Sequence, residues 1–178
     1  ATNAFARALY NHDDSQAILR GGSFIARAGG GKSAWAIHNE GSTNTLLEAH
    51  NLTALGEGGS SYNYGLLNDG PNALIFGDSF VGSGGAEAYG AINIGNLNIQ
   101  DTYILGVNGS SDSVGLLSID GITHADGCKI KGGTHAIYQY DGTIYIALSQ
   151  LDGDWIYEAG TFTCFQIYGA SYLPHSCP

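Results

Sequence analysis

The chain has 178 residues, 43% hydrophobic and only 12% charged, enough for one domain with a continuous core and too apolar for disorder. Its net charge of −10 with six Lys plus Arg argues against nucleic acid and against anionic membrane surfaces, because nothing would replace the released counterions. No window approaches the roughly 18 apolar residues of a spanning helix, and 28 glycines among Asn, Asp and Ser clusters predict frequent turns.

The first element is a short phrase, Ala8-Leu9-Tyr10-Asn11: a small residue, two mostly apolar ones and a side-chain amide. It recurs as Ala36-Ile37-His38-Asn39, Gly65-Leu66-Leu67-Asn68, Gly90-Ala91-Ile92-Asn93, Gly115-Leu116-Leu117-Ser118 and Ala136-Ile137-Tyr138-Gln139, at steps of 28, 29, 25, 25 and 21 residues. A turn and a strand follow each phrase: Ala17-Ile18-Leu19, Thr45-Leu46-Leu47, Ala73-Leu74-Ile75, Leu97-Asn98-Ile99, Ile122-Thr123 and Thr143-Ile144-Tyr145-Ile146. The strand runs on through Phe24-Ile25, Leu52-Thr53, Phe80-Val81 and Tyr103-Ile104. Glycine-rich loops return the chain to the next phrase at residues 29–33, 56–60, 82–85, 106–109 and 132–133.

Short apolar stretches rich in β-branched and aromatic residues and bounded by Gly read as strands, and no 3.6-residue stripe is sustained. A repeat of this length cannot bury its apolar face alone. Stacked coils can, in parallel and in register, at about 4.8 Å per coil. Leu9, Ile37, Leu66, Ala91, Leu116 and Ile137 would then form one inner column. Asn11, Asn39, Asn68 and Asn93, followed by Ser118 and Gln139, would form a ladder of side-chain amides bonding coil to coil.

On the repeat and the Asn column, residues 7–153 resemble right-handed parallel β-helix repeat proteins, the pectate-lyase-like architecture that includes surface adhesins and phage tailspikes. The resemblance implies an all-β, right-handed parallel β-helix of about six coils over residues 1–153. Residues 154–178 resemble the C-terminal cap of bacterial repeat proteins of this kind. An acidic, Lys-poor chain of this composition reads as exported, to an extracellular or cell-surface location. Three cysteines leave one over: Cys164 and Cys177, 13 apart in the tail, are the expected disulfide, and Cys128 a buried thiol.

Aligning the strands on Leu46, Leu74, Leu97 and Ile122 puts His50, Asp78, Asp101 and Asp126 at one offset. Stacked carboxylates about 5 Å apart would suit glycoside hydrolysis or a divalent cation. The stronger reading is structural, since an Asp at a corner binds turn amides. The architecture's lyases also need a basic residue over the acids, and only Lys129 and Lys131 are near. Asp112 and Glu57 in the glycine loops offer Ca²⁺ ligands, but without a repeated ligand set a solvated loop is the better reading. His38, His124, His135 and His175 have no Zn spacing with the cysteines. Asn51-Leu52-Thr53 and Asn108-Gly109-Ser110 match the glycosylation acceptor pattern, the first inside a core strand. Tyr62, Tyr64 and Tyr89 suit carbohydrate or protein contact.

These readings converge on a non-enzymatic extracellular structural or adhesive module without a cofactor. The alternative is a polysaccharide-active enzyme or receptor-binding spike fragment using the acidic face. Phe5 to Asn11 already forms a coil, so self-association end to end, or a flanking domain of a longer chain, is the expected cover for that edge.

Overall fold

The structure, a computed structural model, describes residues 5–42 and 44–171. Those residues form eighteen strands and no helix. The first coil is β1 (Phe5–Asn11), β2 (Gln16–Arg20) and β3 (Ser23–Arg27). The second is β4 (Ser33–Glu40), β5 (Leu46–His50) and β6 (Thr53–Glu57), and the third β7 (Tyr62–Asp69), β8 (Asn72–Phe76) and β9 (Ser79–Ser83). Next come β10 (Glu87–Asn93), β11 (Asn96–Gln100) and β12 (Tyr103–Val107), then β13 (Asp112–Ser118), β14 (Ile122–Asp126) and the long β15 (Lys129–Gln139). The last strands are β16 (Thr143–Ala147), β17 (Gln150–Tyr157) and β18 (Thr161–Phe165).

Corresponding strands of successive coils pair in parallel. β2, β5, β8, β11, β14, β16 and β18 make one seven-stranded sheet. The first-strand and third-strand stacks join into a single eleven-stranded sheet through β15, whose start pairs with β12 and whose end pairs with β13. The molecule is therefore a parallel β-solenoid of about six turns. Gly153, where the division is expected, lies inside β17, which pairs with β15 across two register shifts, while β18 continues β16 in unbroken register.

The inner column is Leu9, Ile37, Leu66, Ala91, Leu116, Ile137 and then Trp155, each register-paired with the next. Ile37, Leu66, Ala91, Leu116 and Ile137 are fully buried. Beside it the Asn11 amide donates to Asn39 Oδ1 (2.7 Å), Asn39 to Asn68 (2.8 Å) and Asn68 to Asn93 (2.8 Å). Asn93 ends the series on Thr123 Oγ1 at 2.9 Å. Each amide also donates to a backbone carbonyl beyond the turn, so buried polar atoms are satisfied along and across the stack.

Two features differ from the sequence reading. Gly56, Gly82, Gly106 and Gly132, expected in loops, lie inside strands β6, β9, β12 and β15 and stack in one column. A Cβ on Gly82 would sit 2.1 Å from the Tyr89 carbonyl oxygen, and one on Gly132 1.7 Å from that of His135. First-strand and third-strand backbones touch there, which also explains the small residue opening each phrase: a Cβ on Gly90 would lie 2.6 Å from the Leu105 amide nitrogen. The coil shortens by losing the return loop altogether, since β15 and β17 run straight from third-strand to first-strand positions.

The second difference is that the corner expected at the acids interrupts the strand, which the apolar pattern reads as running on. Two residues separate second and third strands in every complete coil. The first of them is left-handed throughout: Gly21 (φ 67°), Asn51 (54°), Gly77 (68°), Asp101 (50°), Gly127 (62°) and Leu148 (50°). Asn51 thus lies exposed at the corner and not in a core strand. Asn and Asp tolerate this conformation by local hydrogen bonding, but Leu does not. The 53% exposed Leu148 side chain has little packing to offset its strain. Leu148→Gly is expected to stabilise the fold by about 1 kcal/mol, read as a higher urea midpoint at unchanged slope.

Candidate functional site

The register takes the expected acidic column apart. His50 pairs with Phe76, Phe76 with Gln100, Gln100 with Asp126, and Asp126 with Ala147. Asp101 sits one position further on, at the left-handed corner, its amide donating to the Asp126 carbonyl at 2.9 Å. Asp78 sits one further still. The four residues therefore occupy three columns. The anchors explain it: Leu46 pairs with Asn72, not Leu74, and Asn72 with Asn96, not Leu97. A slip of one residue in a strand reverses the face on which a side chain emerges.

Asp78 turns into the core, 3% exposed. Its Oδ1 accepts the Leu52 amide at 2.7 Å, while Oδ2 is buried without a hydrogen bond. Burial pushes its carboxyl above the usual range, opposed by bonds to backbone amides, that of Leu52 first. The equivalent residues above it are Thr102, Cys128 and Ser149. Each donates to the carbonyl two residues back: Thr102 to Gln100 (2.8 Å), Cys128 to Asp126 (3.3 Å), Ser149 to Ala147 (2.7 Å). This inner column fastens the corner. Cys128 is a buried free thiol pushed up to about 11 by burial. Cys177 lies outside the described residues, and with it the expected Cys164–Cys177 bridge; His175 lies there too.

Asp126 and His50 point outward on the seven-stranded sheet, and their surroundings form the candidate site. Period-two alternation along β11, β14 and β16 buries Leu97, Ile99, Thr123, Ala125, Ile144 and Ile146. The alternate side chains form three columns on the outer face, two of which flank the cavities. One runs Ile18, Glu48, Leu74, Asn98, His124, Tyr145, Thr163; the other Arg20, His50, Phe76, Gln100, Asp126, Ala147, Phe165. Between them lie two shallow cavities, about 290 Å³ over His124, Asp126, Tyr145 and Phe165 and about 160 Å³ over Phe76, Asn98, Gln100 and Asp126. His124 and Asp126 border both, so the cavities form one groove along the solenoid axis.

The groove has aromatic rings towards both ends, each with one face covered by a histidine one coil away. His50 stacks on Phe76 (centroids 4.9 Å, 12°), and His124 on Tyr145 (4.7 Å, 11°). Phe76 and Tyr145 are three coils apart, about 14 Å at the strand spacing. Asn98 and Gln100 present exposed amides between them. Glu48 holds His50 at 2.7 Å. Tyr145 and Phe165 are exposed.

The tyrosines expected to meet a ligand lie on the other sheet, packed among themselves. Trp35 stacks on Tyr64 at 5.9 Å, Tyr64 meets Tyr89 edge-on at 5.6 Å, and the Tyr89 hydroxyl donates to Glu87. Burial raises the Tyr64 and Tyr89 hydroxyls far above their ordinary range. Tyr62 remains exposed. Glu57 pairs with Arg27 at 2.5 Å, Asp112 accepts the Ser113 amide at 2.8 Å, and Lys131 pairs with Asp152 at 2.6 Å. Among the described residues no three His, Cys, Asp or Glu side chains converge on a metal position.

Phe76, Asn98, Gln100, Tyr145 and Phe165 are absent from the candidates read from the sequence, which are ionisable residues and the loop-flanking Tyr62, Tyr64 and Tyr89. The available signal was i, i+2 pairs such as Asn98/Gln100 and His124/Asp126 flanking buried residues, recurring at coil period. No known protein family, curated protein or solved structure matches the chain.

Proposed function

We propose that the chain is a non-enzymatic, extracellular adhesive module that holds a polysaccharide along the groove of its seven-stranded sheet. The observation that carries this reading is the joined groove itself, with aromatic rings at Phe76 and Tyr145 and side-chain amides between them. Sugar rings offer apolar C–H faces for stacking and a belt of hydroxyls that amides can both donate to and accept from. A shallow, open groove suits a polymer lying along the rod better than a buried small molecule. The solenoid stiffens the platform, because neighbouring coils fix each groove residue through backbone pairing on both sides.

Titration calorimetry against a panel of oligosaccharides tests the reading. Tyr145→Ala is expected to weaken binding about tenfold, roughly 1.4 kcal/mol, while Tyr145→Phe keeps the stacking face and most of the affinity. Both variants should melt within a few degrees of the parent. Absence of binding to any neutral, acidic or amine-bearing oligosaccharide would refute the adhesive reading. Release of new reducing ends would replace it with an enzymatic one.

A further inference from the structure

Resting on that polysaccharide reading, we infer that the groove is selective for a polymer carrying cationic nitrogen, an amino-sugar polysaccharide, with Asp126 as the counter-charge. Of the two residues common to both cavities, His124 and Asp126, Asp126 is the acidic one. Its carboxylate stands exposed on the outer face, and among the described residues it has no ion-pair partner. Of the other acids near the sheet, Glu48 pairs with His50 and Asp78 accepts the Leu52 amide, while Asp101 stands exposed at the corner beside Gly127 and adds negative charge next to Asp126. Among the described residues no Lys or Arg lines either cavity, and Arg20, in Asp126's column, stands four coils away beside His50.

The aromatic groups point the same way. Phe76 lies in one cavity and Tyr145 and Phe165 in the other, with Asp126 bordering both. A carboxylate among aromatic faces recognises an ammonium twice, through the ion pair and through the negative face of the ring. A polyanion meets the opposite: an unshielded carboxylate on a chain of net charge −10. Neutral polymers would gain stacking and amide bonds alone.

Three oligosaccharides of equal length separate these cases: N-trimethylated glucosamine, whose charge is fixed, its N-acetylated neutral counterpart, and galacturonate. Binding is measured at about pH 7.5 and at low salt, where exposed charges are least screened. The cationic oligomer is expected to bind about tenfold more tightly than the neutral one, with galacturonate weakest. That preference should shrink as salt rises. Asp126→Asn should reduce the preference to about twofold or less, while Asp154→Asn, an exposed acid outside the groove, should leave it intact. Equal binding of cationic and neutral oligomers, or a preference that survives Asp126→Asn, would overturn the inference and leave the adhesive reading standing. Failure of all three to bind overturns both.

Discussion

Gly106→Ala is expected to cost about 3 kcal/mol or more, and to be among the most damaging single-methyl changes in the chain. The new Cβ would lie 2.0 Å from the Val114 carbonyl oxygen and 2.6 Å from that of Ala88, against the 3.4–4 Å of ordinary contact. Both obstacles are backbone, held by pairing between β10 and β13, so no rotamer change can make room. Relief requires β12 to move away from the first-strand stack, which would strain its pairing with β9 and β15. The same column supplies a control in the first coil. Ala26, register-paired with Gly56, already carries a Cβ in a buried setting. Ala26→Gly should therefore cost only about 0.5–1 kcal/mol. Chemical denaturation of both variants checks the prediction, and comparable losses would show that the two stacks are not in hard contact.

The second large effect is a loss of stability in acid that traces to His38. Its ring is 4% exposed on the outer face of β4, stacked on Tyr10 (5.0 Å) and edge-on to Trp35 (5.1 Å), with neither ring nitrogen hydrogen-bonded. Arg7 lies over both Tyr10 and Trp35 at 4.4 Å. Burial first, and the Arg7 guanidinium second, lower its pKa from 6.5 to about 4, against the pull of Glu40 at 3.6 Å. The unfolded chain therefore takes up this proton before the folded one does. Stability contributed by the neutral ring is complete above about pH 6.5 and falls as the pH drops towards 4, by roughly 3 kcal/mol in all.

Asp78 and Asp69, whose carboxyls burial raises, act with the opposite sign: each favours the fold when protonated and loses that contribution as the pH rises. Comparing the parent with His38→Leu cancels them. Leucine matches the residues stacked above, Leu67, Ile92 and Leu117. The difference in unfolding free energy between parent and variant should be flat above pH 7 and swing in the variant's favour between about pH 6.5 and 4. Parallel pH profiles for the two proteins would refute the assignment.

The chain legibly announced its architecture because the repeat phrase is a direct imprint of coil stacking. A small residue, an inner apolar residue and an amide must each meet its own kind one coil away, so Ala36-Ile37-His38-Asn39 and Gly65-Leu66-Leu67-Asn68 align by eye. The stacking of Leu9 through Ile137 follows from that alignment alone. The glycines were equally visible but misread. Gly82 and Gly106 resemble loop residues because glycine marks both turns and close backbone approach, and only the neighbouring stack distinguishes the two.

What the sequence by itself determined is the parallel stack of strands, its approximate number of coils and the composition of its inner columns. What only the tertiary structure decided is which polar residues share a face. The second strand keeps its five residues and the corner its two in every complete coil, but Leu46, Leu74 and Leu97 stand at the first, third and second positions of that strand. Counting from a leucine therefore lands one or two positions off, enough to turn a side chain from solvent to core. Backbone pairing resets that count in every coil. It places Asp78 inside beside the Leu52 amide, Asp101 at the corner, and Asp126 on the outer groove between Gln100 and Ala147.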